Sequence, residues 1–68
     1  MSDYQEQLRQ ELEEVEDRLD DLDQFIAGET WAGLDTLEKN LVLSQSAIMD
    51  DYIEVLRDRI ATFDDYKG

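Results

Sequence analysis

Cysteine, histidine and proline are all absent from this 68-residue chain, and glycine occurs three times. Without cysteine there is no disulfide staple. Without cysteine and histidine together, the usual zinc and transition-metal ligand sets are missing as well. No apolar run approaches the roughly 18 residues that a membrane span requires. The amino terminus, Met1-Ser2-Asp3-Tyr4-Gln5-Glu6, is polar and acidic where a signal peptide is basic and then apolar. The expected location is therefore the cytoplasm, with no membrane partner. Bases are scarce too: six lysines and arginines stand against 19 acids, for a formal charge of −13. Such a surplus repels polyanions and argues against DNA or RNA polymers as partners.

A chain this short hides only roughly 60% of its unfolded surface on folding, so a lone core is marginal. With disulfides and metals excluded, self-association is the staple left. High charge by itself suggests disorder. Against that, 41% of the residues are apolar and they are arranged periodically.

Leu8, Leu12, Val15, Leu19, Leu22 and Ile26 recur at spacings of 4, 3, 4, 3 and 4, the stripe of a helix lying along another helix. The first helix is expected over about residues 3–27, capped by Ser2 or Asp3 and ended by Gly28 in a left-handed C-cap. Residues 28–35 read as a connector in which Trp31 plugs the hairpin end. Asp35 followed by Glu38 fits a capping box, opening a second helix over about 36–63, with 64–68 a frayed tail. The fold class is all-α, an antiparallel helical hairpin forming one domain over residues 1–68.

The second helix carries two apolar rows. One holds Val42, Met49, Ile53, Leu56, Ile60 and Phe63; the other holds Leu37, Leu41, Ile48, Tyr52 and Val55. A hairpin covers one of them. The other calls for a second subunit, or for cover from the Trp31 segment and the tail. This surplus is the main reason to expect a homo-oligomer. Gln45 reads as a polar layer in the helix pairing.

Catalysis is not expected. General acid–base work needs carboxylates held in a cleft that separates their pKa values, whereas Glu13-Glu14, Asp20-Asp21, Asp50-Asp51 and Asp64-Asp65 are adjacent pairs about 100° apart on a helix. No calcium loop or glycine-rich phosphate loop is present, and no cofactor is implied. Among the cations, Arg57 reads as a surface ion pair with its own-helix neighbours Glu54 and Asp58. Arg59 shares the second apolar row's face with Tyr52, Val55 and Thr62, where a guanidinium needs an anionic partner. Tyr4, at the helix start, reads as an end-packing residue or as a ring able to stack a base beside an anion-friendly terminus.

The pattern Tyr4, Glu11, Val15, Arg18-Leu19, Leu22, Phe25-Ile26, Trp31, Leu34, Leu41-Val42, Gln45, Met49, Tyr52, Val55-Leu56, Arg59-Ile60 and Phe63 resembles a group of small phage proteins. These are the cyclic-oligonucleotide sponges that block CBASS immunity, whose helical hairpin is shared with a Thoeris anti-defence family. The resemblance runs from about Tyr4 to Phe63 and is densest over residues 45–60. It implies a hexamer that traps cyclic di- or trinucleotide messengers between subunits without cleaving them, in the host cytoplasm. It assigns base stacking to Tyr4, phosphate contact to Arg18, and a second pocket to Arg59 and Thr62. The sequence departs from that family in its acidity, placing Glu13, Glu14, Asp17, Asp20 and Asp21 where relatives carry more lysine. The alternative expectation is an acidic helical-hairpin adaptor that binds a protein partner through the second apolar row.

Overall fold

The computed structural model describes the backbone of residues 3–67 and the side chains of residues 3–63. Helix α1 spans Asp3–Ala27, a single turn α2 spans Glu29–Ala32, and α3 spans Thr36–Lys67. Among the described residues all regular secondary structure is helical. Tyr4 meets Arg59 and Glu11 meets Tyr52, so positions on α3 fall as those on α1 rise, and the two long helices run antiparallel. The molecule is a rod of 51 × 14 × 14 Å. Among the described residues no helix is long and apolar enough to cross a membrane.

The apolar stripe of α1 and one row of α3 form the shared seam. Leu8 and Val15 pack with Ile53 and Leu56 at its centre, flanked by Leu12, Leu19, Met49, Ile60 and Phe63. Leu56 is fully enclosed, and Val42 is buried nearer the connector. The other row of α3 stays outside: Leu37, Leu41, Ile48, Tyr52 and Val55 are all exposed. Neither α2 nor Trp31 covers it. The side chains of the tail lie outside the described residues.

The helix ends follow local chemistry, with two departures from the sequence reading. Asp35 caps α3 as expected, its Oδ1 accepting the Glu38 N–H at 2.8 Å, which satisfies one of the unpaired amides of the first turn. Gly28, by contrast, is not in a left-handed C-cap. It is extended, with φ −90° and ψ −179°, because the chain enters α2 at once and needs a straight joint there. Its N–H still donates to the Phe25 carbonyl at 3.1 Å. The second departure is at the far end. α3 continues to Lys67, past Phe63, where a frayed tail was expected. No proline or glycine interrupts residues 64–67, so nothing in the backbone stops the helix before Gly68, which lies outside the described residues. Ser2, the other candidate cap of α1, lies outside them too.

At the connector, the Leu34 N–H donates to the Trp31 carbonyl at 3.1 Å. The half-buried indole carries the Lys39 ammonium 5.8 Å from its ring centroid. That cation–π contact fixes the indole at the hairpin end, the place the sequence suggested for it.

Candidate functional site

The open end of the hairpin brings the first turn of α1 against the last turns of α3. There the Arg59 guanidinium donates a hydrogen bond to the Tyr4 hydroxyl, with its central carbon 5.7 Å from the Tyr4 ring centroid. On its other side Tyr4 meets Phe63 edge-on, with centroids 5.8 Å apart and planes at 66°, the arrangement that aromatic quadrupoles favour. Tyr4 thus packs at the end of the helix and also leaves a ring half open to solvent.

Two turns further along, the Tyr52 hydroxyl donates to Glu11 Oε2 at 2.8 Å. This bond, then burial, then the Glu11 charge raise the Tyr52 pKa above its ordinary value, while Arg59 pulls the other way. Together Tyr4, Gln7, Leu8, Glu11, Tyr52 and Arg59 line a hollow of about 290 Å³. It offers a π face and a guanidinium, groups that stack a planar ring and hold an anion, beside the Glu11 carboxylate, which takes the Tyr52 proton in a hydrogen bond. Among the described residues Arg59 has no carboxylate at ion-pair distance. A phenol oxygen takes the place of the anionic partner that the sequence called for.

The other candidate residues are placed differently. Arg18 lies in a separate hollow of about 320 Å³ with Asp21, Leu22, Phe25, Gln45 and Met49. It is fourteen positions from Tyr4, about 21 Å along the helix axis, so Tyr4 and Arg18 do not meet within one chain. Thr62 donates its hydroxyl to the Asp58 carbonyl one turn back at 3.0 Å, which occupies its proton inside its own helix. Arg57 does not pair with Glu54 or Asp58; it reaches across to Glu16 Oε2 at 2.6 Å. The arm is long enough to cross to the facing helix, where Glu16 is half-buried and so better placed. Among the described residues no group of three or more His, Cys, Asp and Glu side chains is placed to hold a metal ion.

Glu11 and Tyr52 were not singled out as site residues from the sequence. The signal was present in the antiparallel register. Once Tyr4 is set against Arg59, moving seven positions up α1 and seven down α3 brings Glu11 to Tyr52.

Fold and site define a small all-helical hairpin with an open aromatic–guanidinium cradle at one end. Over residues 2–62 it matches the family model described as Sequestin, and the chain belongs to that family. No curated protein matches, and no solved structure does.

Proposed function

We propose that this chain is a viral anti-defence protein that binds cyclic-oligonucleotide or related nucleotide messengers of host immunity between the subunits of a homo-oligomer, a hexamer by its family resemblance. It stores them in the host cytoplasm without cleaving them. The observation that carries this reading is the Tyr4–Arg59 pair, a stacking ring and a guanidinium with no carboxylate at ion-pair distance among the described residues, in one hollow. Membership of a family whose name denotes sequestration is in keeping with it. So is the exposed row on α3, which an assembly would cover.

Titration of the purified protein with a panel of cyclic di- and trinucleotides tests the proposal. A ligand at 100 times its dissociation constant should stabilise the fold by about 2.7 kcal/mol, readily seen in a melting curve. Recovery of the intact ligand after denaturation separates storage from hydrolysis. No heat and no thermal shift across the panel would end the reading.

A second reading is favoured by the exposed row alone: a hairpin adaptor whose α3 takes a helix of a protein partner. Ultracentrifugation at micromolar concentration distinguishes the two. A stable single chain supports the adaptor, and a closed assembly supports the sponge.

A further inference from the structure

The outer face of α3 carries its own evidence of what covers it. Leu37, Leu41, Ile48, Tyr52 and Val55 are 68%, 57%, 67%, 41% and 52% exposed. That leaves on the order of 500 Å² of apolar side chain in one stripe, at the upper end of what a monomer ordinarily shows. Their order is self-complementary. Leu41 and Ile48 are equidistant from the point between Ser44 and Gln45, and so are Leu37 and Tyr52; beyond the helix start, Leu34 mirrors Val55. Read in either direction from that point, the face presents the same succession of apolar positions. The same point is the centre of the longest uncharged run in the chain, the ten residues Asn40–Met49, in a sequence where 37% of residues are charged. This is the place where two copies of a −13 chain can approach with least repulsion.

We propose that this face pairs with the same face of a second copy, antiparallel, about a two-fold axis between Ser44 and Gln45. Leu41 then packs on Ile48 of the second copy and Leu37 on Tyr52, each contact made twice, as an isologous interface requires. Two such stripes hide about 1,000 Å² in total, the size at which specific interfaces begin. The uncharged Asn40, Ser44 and Ala47 border the contact. The pairing also sets the second copy's hairpin end, with Trp31, alongside Val55 and Arg59. The Tyr4–Arg59 hollow, open in a single chain, is thereby bounded by a second subunit. Three such pairs make a hexamer. The interface deepens the assembly half of the function proposed above and does not depend on which ligand is bound.

Single-cysteine variants of the full chain, which has no native cysteine, test the register without any ligand. Ser44 lies beside the axis, so Ser44→Cys should form a covalent dimer in high yield on mild oxidation. Val55→Cys should not, because 21 positions separate the two copies' side chains along the axis, about 32 Å. Cross-linking of both variants would mean a parallel pairing, and cross-linking of neither would mean that these faces do not meet. Either result overturns the proposal. In ultracentrifugation, Ile48→Asp should at least halve the assembly mass. Leu43→Asp, on the opposite side of α3 and 48% exposed, should leave it unchanged, with helicity by circular dichroism confirming that both variants fold. Equal masses for wild type and Ile48→Asp would also refute it. A nucleotide panel that fails while Ser44→Cys alone cross-links would remove the messenger and leave the interface standing.

Discussion

Replacing Glu11 with glutamine should tighten binding of a cyclic dinucleotide about four-fold at physiological salt. Glu11 is the acid lining the Tyr4–Arg59 hollow, so a phosphate held by Arg59 would lie on the order of 8 Å from its carboxylate. Two unit charges at that distance repel by about 2 kcal/mol at an effective dielectric of 20. Screening with a Debye length of about 8 Å reduces this to about 0.8 kcal/mol, and in 0.01 M salt, where the Debye length is about 30 Å, the repulsion is nearly whole. The gain should therefore rise from about four-fold to more than ten-fold as salt is lowered, since each 1.4 kcal/mol is a factor of ten. Glutamine keeps an oxygen to accept the Tyr52 proton, so the wall of the hollow survives. Isothermal titration of both proteins at two salt concentrations is the assay. Unchanged or weaker binding by the variant at low salt would refute the reasoning, because it would put the phosphate elsewhere or make Glu11 a ligand contact.

The same bond governs alkaline stability. The Tyr52 pKa is raised above 10.0 chiefly by Glu11, so the fold favours the neutral phenol. That stabilisation is complete below about pH 10 and is lost as pH climbs through the raised value; thermal melts should decline more steeply there for wild type than for Glu11→Gln. Leu56→Ala, at the fully enclosed centre of the seam, should cost about 3 kcal/mol in urea unfolding at fixed protein concentration. Asp35→Ala removes the 2.8 Å cap on the Glu38 amide and should cost about 1 kcal/mol by the same measurement. Arg57→Ala breaks a bridge whose side chains are 63% and 39% exposed, so its cost should stay under about 1 kcal/mol and shrink further in 1 M salt.

The hairpin was legible in the sequence because its information is periodic. Leu8 to Ile26 mark a single helical stripe, and the two rows of α3 separate cleanly into Leu56, enclosed, and Leu41 or Ile48, exposed. Burial follows that phase directly. What the sequence withheld depends on single backbone angles or on long side chains. Gly28 has equal access to a left-handed cap and to an extended joint, and the choice is made by α2 forming immediately after it. Arg57 has acids within reach on its own helix and across the seam, and only the packing of α1 decides for Glu16. Tyr4 and Arg59 were visible as separate oddities 55 positions apart. Their pairing needed the register, which no single stripe contains.

The unusual acidity of α1 bears unequally on the candidate residues. Glu13, Glu14, Asp17, Asp20 and Asp21 stand where the resembling family carries more lysine, yet none of them lines the hollow of Tyr4 and Arg59. Asp20 faces a third hollow of about 280 Å³ with Glu16, Asp23, Asp50 and Arg57, a surface that repels phosphate. Asp21 shares the groove of Arg18, and its charge opposes an incoming anion there. Of those five acids, Asp21 bears on the Arg18 groove and none on the Arg59 hollow, whose acid is Glu11. Of the two arginines that the resemblance marks, Arg59 has the stronger claim on phosphate. It has the Tyr4 ring against it, and the face of α3 that would bring a second subunit over it is the one left bare.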